Sequence, residues 1–225
     1  MCGRFNVISD PVGRLILEIT GRGFVVDTRY NIAPTEDVPV ILERDGEWDV
    51  RDMRWWLVPH WSDGPSSKYA MFNAKSETLE KSRAYREPFA RRRCIVPGSG
   101  YYEWRKEGSG KVPYYMTPED GSAFAFAALW DCWKGEHEVI ESCTIVTTDA
   151  PESMASIHDR MPVHLTSEQA KTWVDAGAET QTLKDLLAPT LRMPITITPV
   201  STIVNNARNK DERCLEPIGE ASTVN

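Results

Sequence analysis

The chain has 225 residues, 41% of them apolar and 26% charged, enough for one large domain with a sizeable core. The net charge of −7 argues against indiscriminate coating of nucleic acid but leaves room for a local basic site. No stretch approaches the roughly 18 apolar residues of a membrane span, and the apolar run Leu15 to Ile19 is interrupted by charge and lacks the pattern of a signal peptide. A soluble, cytoplasmic protein is expected. The five cysteines, Cys2, Cys94, Cys132, Cys143 and Cys214, show no Cys-x-x-Cys spacing, so neither a disulfide framework nor a metal site is expected, and no cofactor.

Taken in order, the chain opens Met1-Cys2-Gly3-Arg4-Phe5. If Met1 is removed, Cys2 presents a free α-amine and a thiol on neighbouring carbons. Such an aminothiol condenses with an aldehyde to a Schiff base, and the thiol then closes a five-membered thiazolidine. The α-amine titrates near pH ~8, so part of it is nucleophilic at cellular pH. A terminal cysteine can equally fray without a role. Asp10-Pro11 looks like a cap and first turn for a helix carrying Val12, Leu15, Ile16 and Ile19 and ending at Gly21 to Gly23. Tyr30 to Thr35 reads as a loop restrained by Pro34. Val38 to Glu43 and Trp48 to Trp56 form a hairpin around Asp45-Gly46.

Pro59 to Tyr69 is a loop carrying Trp61, and Ser76 is placed to cap a helix running toward Arg93. Cys94 to Pro97, Gly100 to Lys106, Val112 to Thr117, Ser122 to Trp133 and Val139 to Thr148 read as strands joined by tight turns. Thr166-Ser167-Glu168-Gln169 is a capping box for a helix over 166–176, and Leu183 to Leu187 is a shorter one. Met193 to Val200 is a late strand. Residues 1–210 are expected to form one domain and 211–225 a flexible tail. Strands that do not alternate regularly with helices imply an α+β fold with a strongly curved, mostly antiparallel sheet.

Four segments combine reactive side chains with turn or strand-edge contexts: Cys2, Phe72-Asn73-Ala74, Gly100-Tyr101-Tyr102-Glu103-Trp104 and Ile157-His158-Asp159-Arg160-Met161-Pro162. Glu103 lies among aromatic residues, which raise a carboxyl pKa by desolvation, although a strand carboxylate facing water is the commoner case. His158 suits proton transfer, while His60, His137 and His164 read as structural. Lys81 to Arg93 holds six basic residues and one acidic, Glu87, a local charge of +5. A solvated helix face is the usual meaning of such a run.

With Tyr30-Asn31-Ile32-Ala33-Pro34 and Trp55-Trp56-Leu57-Val58-Pro59-His60-Trp61, these segments resemble, in order, the signature blocks of the SOS response-associated peptidase (SRAP) family. The resemblance spans Cys2 to about Val200. It implies an abasic-site sensor for single-stranded DNA that crosslinks to the sugar aldehyde through Cys2, in a bifurcated sheet closed into a pseudo-barrel with a few peripheral helices. It implies further that Glu103 protonates the sugar ring oxygen, that His158 assists Schiff-base formation and crosslink reversal, and that Asn73 orients the amine. Arg4, Arg83 and Arg160 fall where the family contacts phosphate, Trp61 stacks beside the lesion, and Pro34 lines the pocket. Lys75 stands where arginine is common, losing the bidentate fork, and Trp56 and Ser62 are further departures.

The implied partner is single-stranded DNA with abasic sites, bound by a monomer located with the DNA, at the nucleoid in a bacterium. Peptidase activity, including removal of a leader, and weak lyase activity by β-elimination are also implied. Two other functions fit parts of the sequence. N-terminal-nucleophile amidohydrolases also begin Met-Cys-Gly but lack the Tyr-Glu-Trp and His-Asp-Arg-Met-Pro blocks. A noncatalytic single-stranded DNA binding module would make Cys2 incidental.

Overall fold

The computed structural model describes residues 2–225, so Met1 lies outside the described residues. In order, the first half contains β1 (Phe5–Val7), α1 (Ser9–Thr20), β2 (Arg29–Ile32), β3 (Asp37–Arg44), β4 (Glu47–Trp55), β5 (Asn73–Lys75), α2 (Arg86–Arg91), β6 (Arg93–Gly98) and β7 (Gly100–Glu107). The remainder is β8 (Gly110–Pro118), β9 (Phe124–Lys134), β10 (Val139–Asp149), α3 (Glu152–Ala155), β11 (Arg160–Pro162), β12 (His164–Leu165), α4 (Ser167–Val174), α5 (Thr180–Asp185), β13 (Ile195–Pro199) and β14 (Ser222–Val224).

Five strands close on themselves. Strand β10 pairs in parallel with β4, and β4, β3, β6, β9 and β10 then follow as antiparallel neighbours. A second sheet runs β14-β13-β8-β7-β1-β2. The fold is thus α+β, a pseudo-barrel beside an antiparallel sheet. Apolar residues of both sheets share one continuous core. At its centre Phe5 packs edge-on against Trp55 at 5.0 Å, and the Trp55 indole donates to the Phe72 carbonyl at 2.9 Å. Among the described residues no helix is long and apolar enough to cross a membrane.

The local signals produce the elements they should. Asp45 and Gly46 take φ of 53° and 79°, the left-handed pair that a two-residue hairpin needs. Thr166 and Gln169 make both bonds of the capping box that starts α4. Other expectations need correction. Helix α1 begins at Ser9, with Asp10 in its first turn rather than at the cap. Tyr30 to Ile32, read as loop, lies in β2 because Phe5 pairs with Ile32. The helix expected from Ser76 toward Arg93 is broken into a 3₁₀ turn at Ser76–Thr78 and the short α2. Pro88 is the reason: deep in a longer helix it would lose a hydrogen bond and clash with the preceding turn, whereas near the start of α2 its missing N–H costs nothing.

The segment expected as a flexible tail is also ordered. Glu212–Leu215 forms a 3₁₀ turn with Cys214 fully buried, and β14 pairs with β13 through Ile195 and Val224. Side-chain bonds to main chain and one small apolar cluster hold it, and neither shows as hydrophobic periodicity.

Candidate active site

The site is built by strand pairing. Phe5 lies opposite Tyr101 and Asn6 opposite Gly100, so β1 carries Cys2 alongside β7. The Tyr102 N–H donates to the Arg4 carbonyl at 2.9 Å, continuing this contact toward the terminus. Alternation along β7 then sends Tyr101 and Glu103 to one face and Tyr102 and Trp104 to the other. Asn73 arrives from β5, which pairs in parallel with β10 at Ile145. His158 follows α3, its backbone N–H bonding the Met154 carbonyl at 3.3 Å.

Three of the expected residues are buried: Cys2 at 0%, Glu103 at 3% and Asn73 at 8% exposure. The Asn73 Nδ2 donates to the Cys2 carbonyl at 2.7 Å, while the Asn73 carbonyl accepts from the Tyr85 hydroxyl at 3.3 Å. Asn73 Oδ1 finds no donor among the described residues. Burial pushes the Cys2 thiol well above its ordinary range, and the Glu103 carboxylate adds to this. The thiol is therefore held protonated, its Sγ 3.7 Å from the Arg4 carbonyl.

Glu103 is pushed up to about 7, chiefly by burial. Its Oε2 lies 4.0 Å from His158 Nε2. Burial lowers the His158 pKa. His158 Nδ1 receives two conflicting demands: it accepts the Arg160 backbone N–H at 3.0 Å and lies 2.7 Å from the Asp159 carboxylate. The amide requires a bare Nδ1 and the carboxylate an N–H. Asp159 is 86% exposed and free to turn, whereas the amide is fixed, so the neutral ring carries its proton on Nε2, the atom toward Glu103. Glu103, poised near neutrality, thus faces a ring whose own pKa burial lowers, beside a buried thiol and the Asn73 amide.

The residues expected to meet DNA divide. Trp61 is 41% exposed, and the Arg83 guanidinium lies 3.8 Å over its ring. Both line a groove of about 1000 Å³ with Lys68, Tyr69, Met71 and Tyr85. Tyr85 joins the groove to the inner site through its bond to Asn73. Lys75 is exposed and Pro34 half-buried. Arg4 and Arg160, in contrast, are engaged by the protein. Arg160 is bidentate to Glu77 at 3.0 Å and also bonds Asp149 at 2.6 Å and the Thr147 carbonyl at 2.7 Å. Arg4 donates to Asn31 Oδ1 at 2.7 Å and to the Val204 carbonyl at 2.9 Å. Within the basic run Arg93 is buried and donates to four carbonyls, including those of Trp173 and Asp175.

Sequence reasoning missed Tyr85, hidden among the arginines, and Asp131. The Asp131 carboxylate, 3% exposed, accepts from the His60 backbone N–H at 2.9 Å and lies 3.0 Å from its ring, fixing the start of the Trp61 loop. Among the described residues no group of three or more His, Cys, Asp or Glu side chains is placed to hold a metal ion.

Comparison with known proteins bears on this arrangement. The abasic site processing protein YoqW of Bacillus subtilis is 32% identical over 223 residues, covering 96% of this chain and 99% of its own. The abasic site processing protein HMCES of Gallus gallus is 34% identical over 223 residues, covering 84% of this chain and 66% of its own. A solved structure from Bacteroides thetaiotaomicron superposes with a TM-score of 0.82 at 24% identity, over 96% of this chain and all of that one, and shows the shared fold. A phage-related protein of Bordetella bronchiseptica superposes with a TM-score of 0.72 at 30% identity, over 88% of this chain and 94% of that one. The family described as SOS response associated peptidase (SRAP) matches residues 1–207, and the chain belongs to that family.

Proposed function

We propose that this protein processes abasic sites in single-stranded DNA by forming a thiazolidine crosslink through Cys2 once Met1 has been removed. The observation that carries the reading is the assembly of the buried Cys2, the Asn73 amide bonded to its carbonyl and the facing pair Glu103 and His158 close together. The printed names of relatives such as YoqW and HMCES point to the same substrate.

In this reading the protonated Glu103 gives its proton to the ring oxygen of the closed sugar as the bond from that oxygen to C1′ breaks, and the C1′ hydroxyl releases its proton to water, leaving the C1′ aldehyde. The Cys2 α-amine adds to that carbon, and one water leaves as the C=N bond forms. The thiol sulfur then bonds to the same carbon, the C=N electron pair moves to nitrogen, and the thiol proton ends on that nitrogen by way of the Glu103 carboxylate, which the first step left without its proton, with the His158 Nε2–H facing that carboxylate. Asn73 Oδ1 is the acceptor that orients the amine. Because the thiol is not a standing thiolate, attack waits for the activated imine, which limits reaction with stray electrophiles.

The groove of Trp61, Arg83, Lys68 and Tyr69 supplies cations and stacking faces for the strand beside the lesion. The protein acts as a monomer wherever such DNA lies. Peptidase action is confined in this reading to exposing Cys2, and β-elimination competes only when the Schiff base escapes the thiol.

The test is a denaturing gel with a single-stranded oligonucleotide bearing one abasic site, together with the intact mass of the protein. Wild type is expected to give a heat-stable adduct. Cys2→Ala is expected to lose it while keeping a borohydride-trappable Schiff base. An undiminished stable adduct from Cys2→Ala, or none from wild type lacking Met1, sinks the proposal. Glutamine hydrolysis without DNA would instead favour an amidohydrolase.

A further inference from the structure

The Arg4 side chain, two residues from Cys2, is not presented to solvent as a free cation. Its guanidinium is clasped by Asn31 Oδ1 and by the Val204 and Asn205 carbonyls at 2.7, 2.9 and 3.5 Å. Asn31 is fully buried in the left-handed region at φ 53°. Its Nδ2 is shared among the carbonyls of Val204, Asn206 and Asn209 at 3.1, 3.1 and 2.9 Å, and its own carbonyl accepts from Lys210 Nζ at 2.9 Å.

The chain from Val200 to Pro217 therefore forms a strap, closed at its base by pairing of those two residues. Beneath it Tyr102 and Tyr115, tilted rings with centroids 4.9 Å apart, pack against the strap's own Val204 and Cys214. Trp104 donates to Asn205 Oδ1 at 2.7 Å. Strand β7 is thus held between two layers: Glu103 faces the chemistry, and its neighbours Tyr102 and Trp104 face the strap. Asn209, Lys210 and Cys214 lie beyond residue 207, where the family match ends.

We propose that Arg4 and Asn31 are positioning residues through which the strap fixes Cys2 against Glu103, and that Arg4 sets the rate of the covalent step rather than the affinity for DNA. A guanidinium satisfied by three protein oxygens has few donors left for phosphate, whereas displacing reacting atoms by about 1 Å costs up to ~10²-fold in rate. The inference rests on the crosslinking reading for its main readout.

The experiment compares wild type with Arg4→Met, Asn31→Gly and Lys210→Met. Glycine at position 31 keeps the left-handed backbone and removes only the amide. For each protein the crosslinking rate at saturating abasic DNA is measured, together with the affinity for undamaged single-stranded DNA over a salt series. Arg4→Met and Asn31→Gly are expected to lose about tenfold or more in the saturating rate while their affinity and salt slope stay at wild-type values. Lys210→Met, at the exposed rim of the strap, is expected to fall between them and wild type, and it carries the test if the others fail to fold.

An unchanged rate with weaker binding, and a salt slope reduced by about one in Arg4→Met, would make Arg4 a phosphate contact and overturn the proposal. Alkylation of Cys2 by iodoacetamide without DNA separates this from the parent reading. If wild type forms no DNA adduct but the variants alkylate faster, the strap positions Cys2 and the DNA reading fails. Equal alkylation together with equal saturating rates ends the strap proposal.

Discussion

The inner site and the outer groove are built in opposite ways. Cys2, Asn73 and Glu103 stand on or beside short strands paired into two sheets, nearly without exposure. Trp61, Lys68 and Tyr69 stand on the irregular stretch between Leu57 and Asn73, tied down by the Asp131 carboxylate and by the Trp133 indole, which bonds the Ser62 carbonyl at 2.8 Å. Rigid strands suit groups whose pKa values and spacing decide a reaction, and a loop suits a surface that must fit a flexible polymer. In the proposed function, rate belongs to the strands and affinity to the loop.

The strongest test of that separation is Glu103→Gln. Removing a general acid is expected to slow the saturating crosslinking rate by ~10²–10⁴-fold with little change in DNA affinity, as single-turnover kinetics would show. The wild-type rate should fall as pH rises through about 7, where burial has placed Glu103, and the variant should lose that fall and keep only the rise that comes as the Cys2 α-amine, near pH ~8, becomes neutral. Stability should fall in the same direction. The native carboxyl titrates at about 7 against 4.5 in the unfolded chain, so the native state binds more protons between those values and loses stability as pH rises through the window. Glu103→Gln should hence gain on the order of 3 kcal/mol over wild type at pH 8 in urea unfolding. Little gain is expected at pH 4.

Trp61→Ala is a smaller perturbation and should act on the other side of the divide. Loss of one stacked base is worth ~1–3 kcal/mol in single-strand affinity, with the saturating rate unchanged. A slowed saturating step in this variant would merge the two regions into one. Smallest is Arg83→Gln: its guanidinium covers the Trp61 ring, and its loss should lower the salt slope of binding by about one and the affinity modestly.

What the sequence reveals follows the range of each interaction. The β3–β4 and β7–β8 hairpins and the α4 cap depend on residues a few positions apart, and they are legible. Closure of the barrel depends on parallel pairing of Arg54 with Ser142, and delivery of Asn73 on its pairing with Ile145, with no local sign of either. The four residues expected to carry chemistry are brought together, and Trp61 and Arg83 share a groove. Arg4 and Arg160 illustrate the limit: whether a cation is available depends on counter-groups such as Val204 and Glu77 that are distant in sequence. The turn and strand at the end of the chain are hidden for the same reason, since they are held by pairing of β14 with β13, of Pro217 with Val200, and by the Ser201 N–H on the Glu216 carbonyl.

The pairing of β1 with β7 also sets a clock. Phe5 meets Tyr101 only after roughly a hundred residues have been made, which at ~5–20 residues per second takes on the order of ten seconds. Before then the segment ahead of β1 is open to processing enzymes, and afterwards Cys2 has no exposed surface. In the proposed function, a processing enzyme that removes Met1 finds the terminus open in that interval, and the chain's own peptidase action is left for the folded protein.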